Sequence, residues 1–507
     1  MSVHLPEGWT HALLDELFVV NPRKPSTDAA QAEAPVTFVP MGAVDAEQGA
    51  ITEPESKPFG SVRKSYTAFA EGDVLLAKIT PCFQNGKIAV ASHLLNGLGF
   101  GSSEFHVFRP KGAVQARFLF HYFRQPRLRE EAVQFMTGTA GQARVPVNYV
   151  KALRLPVPPL DEQVRISARV EALLGKARNA RLRLGRLPVE LDRLRQAVLA
   201  AACSGRLSEE WRERNPSVYA PDRPTTAQVE RTRRRGANLS RDGELLVADM
   251  PELPESWTYW RADEVVDPET VVTYGIVLPG PEHPGGVPYV RQQDIADGTV
   301  LVDQLRRTKP EIAAKHSRSE LREGDVLLCI IRNLRVAMVP EGLDGANLTQ
   351  GTVRLRPGSH VRGDYLAAYL ASPAPQGWMK ARYFGMDMPR INVEDARAIP
   401  IALPPIEEQT EIMRRVRALL DLEGRVRGRL AAATAAADAL PQAILSKAFA
   451  GELVPTEAEL ARAEGRDYET AEQLLERVRA QDDESSAKDK KATSTTRRKA
   501  RGRKAAR

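Results

Sequence analysis

Two stretches of the chain space their apolar residues alternately four and three positions apart. In the first, the seam runs Ile166, Val170, Leu173, Ala177, Ala180, Leu184, Leu187, Leu191, Leu194, Val198. In the second it runs Ile412, Val416, Leu419, lapses at Glu423, and resumes as Val426, Leu430, Ala433, Ala437, Leu440, Ile444. A four-three step held over about five heptads predicts long helices that bury one stripe against another helix. The nearest available partner for each copy is the other. Each run follows a proline brake, Leu155-Pro-Val-Pro-Pro-Leu-Asp-Glu-Gln163 and Ile401-Ala-Leu-Pro-Pro-Ile-Glu-Glu-Gln409. Each closes alike, with Gln196-Ala-Val-Leu199 and Gln442-Ala-Ile-Leu445. Pro188 and Pro441 fall inside the two runs, where a proline removes one backbone hydrogen bond and kinks a helix. Pro188 serves equally well as the first residue of a second helical piece.

Outside these runs the patterning is mixed, and it too occurs twice. Leu5-Pro-Glu-Gly-Trp9 returns as Leu253-Pro-Glu-Ser-Trp257, and Thr37-Phe-Val-Pro-Met41 is answered by Pro288-Tyr-Val-Arg-Gln292. Glu71-Gly-Asp-Val-Leu-Leu76 matches Glu323-Gly-Asp-Val-Leu-Leu328, a Gly-Asp turn feeding an apolar run long enough for a buried strand. Arg109-Pro110 and Arg356-Pro357 follow another strand-like stretch, and Phe118–Phe123 and Tyr365–Leu370 read as short helices. The order of these features is kept while most side chains differ. That is the expectation for one scaffold aimed at two targets. The predicted class is α+β: two mixed α/β recognition domains separated by two long antiparallel coiled-coil helices, with a pseudo-twofold internal repeat. The expected boundaries are 1–155 and 253–401 for the domains, 156–205 and 402–452 for the helical spacers, 206–252 for a linker, and 453–507 for a polar, basic, disordered tail.

Length agrees, since 507 residues exceed one core and suggest about three folding units. Charge changes the picture once it is located. Residues Ser485–Arg507 hold ten Lys/Arg and one Asp, so the net +7 less this tail's +9 leaves −2 for the rest. Any polyanion must therefore be met by local patches of the body, with the tail adding salt-sensitive, sequence-blind affinity at most. The linker's cluster of Arg231, Arg233, Arg234 and Arg235 reads as a solvated stretch. Cys82, Cys203 and Cys329 are too few and too far apart for a disulfide framework or a zinc spacing. With no apolar run near 18 residues and no signal-like start, the expectation is a soluble cytoplasmic protein with no membrane contact.

Taken together, the two brakes, the helices behind them, the helix endings of the Gln-Ala-Ile-Leu…Ala-Phe-x-Gly type and the Gly-Trp or Ser-Trp openings resemble the specificity subunit of Type I restriction-modification systems. Glu210-Trp-Arg-Glu-Arg-Asn-Pro216 carries the same resemblance, which covers roughly residues 5–455. It implies a subunit that is not a catalyst, binds double-stranded DNA, and docks two modification subunits on its helices. Those subunits methylate adenine from S-adenosylmethionine, and restriction subunits using ATP and Mg join through them; this chain itself would hold no cofactor and no metal.

The residues agree that chemistry is missing. There is no Asn/Asp-Pro-Pro-aromatic motif, no phosphate loop of the Gly-x-x-x-x-Gly-Lys-Ser/Thr type, and no paired spacing among the eight histidines. Gly97-Leu-Gly-Phe-Gly101 is read as a turn rather than a cofactor loop. If the seams pair antiparallel, about 40 helical residues at 1.5 Å each give a spacer near 60 Å, between one and two turns of B-DNA. Two readers on such a ruler would take an asymmetric bipartite site. Base edges call for Arg, Lys, Asn and Gln, so the candidate DNA contacts are Lys78, Thr80, Gln84, Asn85, Lys87, Gln142 and Arg144 in the first domain. In the second they are Arg332, Asn333, Arg335, Arg382, Tyr383 and Arg390. The candidates for seam pairing and partner docking are Ile166, Val170, Leu173, Leu184, Leu191, Leu194, Ile412, Val416, Leu419, Leu430, Leu440 and Ile444. Two other readings are a fused methyltransferase, which needs the missing motifs, and a coiled-coil scaffold without sequence readout.

Overall fold

A computed structural model describes residues 5–25, 32–46, 48–139, 141–224, 245–296 and 298–481. Residues 482–507, with the basic run from Ser485, and the Arg231–Arg235 cluster lie outside the described residues. Residues 453–481 of the expected tail instead belong to the fold, with a helix at Glu457–Glu464 and with Ala471, Leu474 and Leu475 buried in the first unit's core. By internal contacts the chain divides into two compact units, one formed by Met1–Gly185 with Ala433–Arg507 and the other by Arg186–Ala432.

In the first unit, strands β1 (Thr10–Leu13), β2 (Phe18–Val20), β3 (Pro35–Val39), β4 (Glu55–Pro58), β5 (Thr67–Ala70), β6 (Val74–Ala77), β7 (Ile88–Val90), β8 (Leu98–Gly101) and β9 (Phe105–Pro110) precede helix α1 (Ala116–Phe123). Strand β10 (Arg154–Val157) then leads into helix α2 (Leu160–Leu184). One antiparallel sheet has the order β2-β9-β6-β7, with Phe108 opposite Val74 and Val74 opposite Val90. A second has the order β4-β3-β8-β5. Every residue of β6 is buried, as expected of a strand covered on both faces. The glycines of β8 serve packing: a side chain on Gly99 would collide with the Phe69 ring.

The second unit opens with helix α3 (Leu187–Cys203) and strands β11 (Thr258–Arg261), β12 (Thr273–Tyr274), β13 (Val287–Val290) and β14 (Arg306–Thr308). After these come β15 (Val326–Cys329), β16 (Val336–Met338), β17 (Asn347–Leu348) and β18 (Thr352–Leu355), then helices α4 (Gly363–Leu370) and α5 (Pro373–Lys380), strand β19 (Pro400–Leu403) and helix α6 (Ile406–Phe449). Its main sheet runs β12-β18-β15-β16 before two short edge strands, so β15 stands where β6 stands in the first unit. Strand β1 pairs antiparallel with β10, and β11 with β19, tying the start of each domain to its end.

The repeated motifs resolve into three structural devices. In Gly-Asp-Val-Leu-Leu, the Asp73 carboxylate accepts the Ala70 amide at 2.7 Å and both nitrogens of Arg109 at 2.9 and 2.8 Å. Asp325 does the same with the Arg322 amide and Arg356. The Gly-Asp turn and the Arg-Pro pair are thus two halves of one bidentate contact.

The Glu-Gln that follows each proline brake is the second device, and all four side chains are buried. Glu162 accepts the Trp9 indole at 2.9 Å and the Glu457 amide at 2.8 Å. Glu408 accepts the Trp257 indole at 2.9 Å, the Ser208 hydroxyl at 2.7 Å and Arg212 at 2.8 Å. Burial pushes the Glu162 acid above its usual range against the pull of these donors. Gln163 accepts the Gln115 amide and donates to the carbonyls of Ala113 and Pro158; Gln409 repeats this with Arg362, His360 and Pro404.

The third device joins helix endings to domain openings. Gly205 and Gly451 close their helices at φ of 77° and 75°, the left-handed region that favours glycine. A Cβ there would lie 2.6 Å from the Pro254 ring and 2.2 Å from the Pro6 ring, so each ending seats on a Leu-Pro-Glu opening.

The seam is buried at its ends and alternates between buried and exposed positions in its middle. Ile166, Val170 and Ile444 pack into the core of the first unit with Trp9, Phe118 and Leu119. Val198, Ile412 and Val416 pack into that of the second with Trp257, Tyr365 and Leu366. Leu191, Leu430 and Ala437 are also buried, but Leu187, Leu194, Leu419, Val426 and Leu440 are exposed. The four-three stripe therefore serves largely to lay helix ends on the mixed domains, where each buried aliphatic side chain contributes about 1.5–3 kcal/mol. The helical runs still meet side chain to side chain inside each unit. Arg181 meets Asp438 at 3.0 Å in the first, and Arg427 meets Asp192 at 2.9 Å in the second. Pro188 is the second residue of α3, whereas Pro441 sits within an unbroken α6.

Candidate nucleic-acid interface

In the first unit, the turn after β6 and the 137–145 hairpin come together through backbone bonds. Thr80 N–H donates to Ala143 at 2.9 Å and Val145 N–H donates to Lys78 at 2.9 Å, while Ile79 and Arg144 form a bridge. Thr137 and Arg144 close the hairpin with reciprocal bonds of 3.0 and 2.8 Å. Lys78, Thr80, Gln142 and Arg144 are thereby gathered into one place, with Gln84 and Asn85 exposed on the adjoining turn. Two candidates are turned inward: the Thr80 hydroxyl is buried without a hydrogen-bond partner, and the Lys87 ammonium donates to the Met41 carbonyl at 2.8 Å. Phe83 is buried in the core.

The second unit repeats this backbone with other side chains. Arg332 N–H donates to Pro389 at 2.6 Å, Ile391 N–H donates to Ile330 at 3.0 Å, and Ile331 bridges Arg390. Phe384 and Arg390 close the hairpin at 2.9 and 3.0 Å. By this register Arg332 stands where Thr80 stands, and Arg390 where Arg144 stands. Arg332 holds a left-handed φ of 63°, a conformation that costs a non-glycine residue about 1–3 kcal/mol. Together with Asn333, Arg335, Lys380, Tyr383 and Gln376 it lines a cavity of about 570 Å³. Arg335 donates to the Ile295 carbonyl at 3.0 Å, and Gln376 to the Leu334 carbonyl at 2.9 Å. Arg382 lies over the Trp378 ring, 3.6 Å from its centroid, and donates to the Trp378 carbonyl, so its planar face is already stacked. Burial raises the Tyr383 phenol, which stays protonated at neutral pH.

The two equivalent arginines differ in electrostatic setting. Arg144 makes a bidentate pair with Glu104 at 2.9 and 3.0 Å, which holds the Glu104 acid below its usual range. The backbone bond that Lys78 makes to Glu104 is made by Ile330 to Gly351, so the second unit has no carboxylate at that place. Arg390 instead lies over the Phe384 ring, 4.9 Å from its centroid. Sequence reasoning missed Glu104, in the turn before β9, and Gln376 and Lys380, on α5; Glu104 meets Arg144 from 40 residues away and Gln376 meets Leu334 from 42, distances no local pattern spans. It also missed the hairpin tip Gly385–Pro389, whose signal was two methionines inside a Gly/Pro turn.

Of the seam candidates, Ile166, Val170, Leu191, Ile412, Val416, Leu430 and Ile444 are buried within their units, and Leu173 and Leu184 are half-buried. Leu194, Leu419 and Leu440 are exposed. Among the described residues no group of three or more His, Cys, Asp or Glu could hold a metal, and no helix is long and apolar enough to cross a membrane.

Loops rich in cations and amides, held on a rigid sheet, suit recognition of a polyanion. Comparison with known proteins gives this arrangement relatives. The model of the family described as Type I restriction modification DNA specificity domain matches residues 6–183 and 281–428. The chain is 26% identical to the Type I restriction enzyme EcoEI specificity subunit of Escherichia coli over 87% of this chain and 83% of that one. It is 31% identical to the EcoBI specificity subunit of the same organism over 64% of each. Among solved structures, a chain of a type I R-M system superposes with a TM-score of 0.62 at 23% identity, covering 89% of this chain and 99% of that one. The HsdS subunit from Thermoanaerobacter tengcongensis gives 0.59 at 23%, covering 88% and 98%.

Proposed function

Starting from the fact that the chain belongs to the Type I restriction modification DNA specificity family, and so is a specificity subunit that recognises DNA sequence, we propose that it reads a bipartite, asymmetric target. Each unit takes one half-site with its bridged pair of loops: Ile79 with Arg144 in one, Ile331 with Arg390 in the other. The observation that carries this reading is the same backbone register presented twice with different side chains. One shared backbone register delivers two loops to the groove, and the difference between Gln142 and Arg144 on one side and Arg332, Asn333, Arg335 and Arg390 on the other makes the half-sites unlike.

The helical runs act as the spacer between the half-sites and as the docking surface for two modification subunits, one per copy, with exposed Leu194, Leu419 and Leu440 among the contacts. In this reading the modification subunits supply S-adenosylmethionine chemistry at adenine, restriction subunits assemble through them, and this chain contributes position and sequence choice but no catalytic group. The test is selection from a random duplex library by the chain in complex with its modification subunit. Enrichment of two short fixed elements separated by a constant run of unspecified base pairs is expected. Binding that enriches no sequence would leave a scaffold without readout.

A further inference from the structure

The hairpin at residues 383–390 carries an apolar tip on a cationic face. Met386 is 100% exposed, and Phe384 and Met388 beside it are 44% and 41% exposed. Around them stand Arg332, whose guanidinium reaches the Met388 sulfur at 3.5 Å, and Arg390, stacked on Phe384. Lys380 and Arg335 line the adjoining cavity, and Asp387 is the tip's single carboxylate. Met386 buries no surface of its own, so nothing in this unit's packing accounts for it, and Phe384 and Met388 leave about two-fifths of theirs in solvent beside it. The equivalent hairpin of the first unit has Thr137, Gly138, Thr139, Gly141 and Gln142 in this stretch, with no large apolar residue.

We propose that this tip enters the major groove of DNA and that Met386 reads the 5-methyl group of a thymine. The inference rests on the DNA-reading role assigned above. A two-stranded ribbon is among the shapes the major groove admits, and the thymine methyl is the one apolar feature displayed on its floor. Closure of the hairpin by the paired Phe384–Arg390 bonds gives it the shape of a narrow ribbon. The surrounding arginines suit the phosphates on either side. The thioether suits a methyl group because it is polarizable and unbranched, and it has no donor that a methyl would leave unpaired. An apolar wedge between base steps is the other use DNA-binding proteins make of such residues, but that belongs to minor-groove binders that kink the duplex. A wedge also calls for a braced side chain, which a fully exposed methionine is not.

The experiment uses the full chain in complex with its modification subunit and the duplex selected as above. Each thymine of the second half-site is replaced singly by deoxyuridine, which lacks only the methyl, and binding is measured for wild type, M386A and the first-unit control Q142A. One position is expected at which deoxyuridine weakens wild-type binding about fourfold, the worth of one buried methyl group at tenfold per 1.4 kcal/mol. At that position M386A should lose the sensitivity while Q142A keeps it, a coupling that isolates the pair. Because Met386 packs against nothing, M386A should fold as wild type, which its melting temperature will report. Specific binding with a flat deoxyuridine scan, or a scan unchanged by M386A, overturns the proposal while leaving the two-reader account standing. So does a fluorescence rise from 2-aminopurine placed in the half-site on wild-type but not M386A binding, the mark of a wedge. Failure of wild type to bind any selected duplex specifically instead overturns the DNA reading itself, and this inference with it.

Discussion

Arg144 and Arg390 occupy the same place on the same scaffold, yet one is held by a carboxylate and the other by an aromatic ring. Glu104 grips Arg144 through two hydrogen bonds, so on the proposed reading a base or phosphate would have to compete for that guanidinium. Arg390 rests on Phe384, which leaves its in-plane donors able to form a bidentate contact with guanine. A similar contrast lies at the helix base. Arg117 pairs with Glu171 in the first unit, while Asp364 pairs with Arg417 at the equivalent positions of the second, the same contact with its charges exchanged. Interactions that hold the scaffold are thus kept in kind, whereas those on the recognition loops are free to differ. The difference teaches where structure stops and specificity starts.

That division can be broken first where it is strongest. E408A strips the acceptor from Trp257, Ser208 and Arg212 together, and removal of one partner of a buried charge pair costs about 3–5 kcal/mol. E162A should cost less, because Trp9 and a backbone amide are its hydrogen-bond donors. Thermal unfolding of the two variants side by side checks the order, and equal losses would show the two anchors to be interchangeable. Next in size, R390A should weaken binding at the second half-site by about 1–3 kcal/mol and relax its sequence choice, while R144A does less at the first; competition binding against single-base variants measures both. The comparison is sharpened by E104A, which should strengthen first-half binding by releasing Arg144, and a fall in affinity would show that Glu104 positions the arginine for contact.

The smallest effect is on pH. Arg414 holds the Glu411 acid down to about 2, so its stabilising pair is fully present above the ordinary value near 4.5 and is lost as pH falls toward 2. Its partner Arg414 is largely open to solvent, so the change should stay below about 1 kcal/mol. Acid titration of wild type against E411Q, followed by circular dichroism, gives that difference.

Much of the scaffold was legible because it is local. The Pro-Pro brakes end a strand and free a helix to start, Gly-Asp marks a turn, and the second copy of each shows that it is a rule of the fold. The seam was legible as helix but not as to partner. A four-three stripe reports that one face is covered, and it is the distant Trp9, Phe118 and Tyr365 that show a sheet domain covering its ends. Glu162 and Trp9 are 153 residues apart, so the Glu-Gln pair read only as part of a brake. For the loops, sequence offered residue types. Which of them face outward was decided by partners no local pattern contains, such as Met41 for Lys87 and Glu104 for Arg144.

Independent reading of two half-sites is tested most directly by mapping N6-methyladenine across a genome by single-molecule sequencing. The chain is expressed with its modification subunit, once as wild type and once with residues 253–401 exchanged for those of a relative. The account predicts a split motif of which one half changes while the other half and the spacer stay fixed. A motif altered in both halves, or one left unchanged by the exchange, would contradict it.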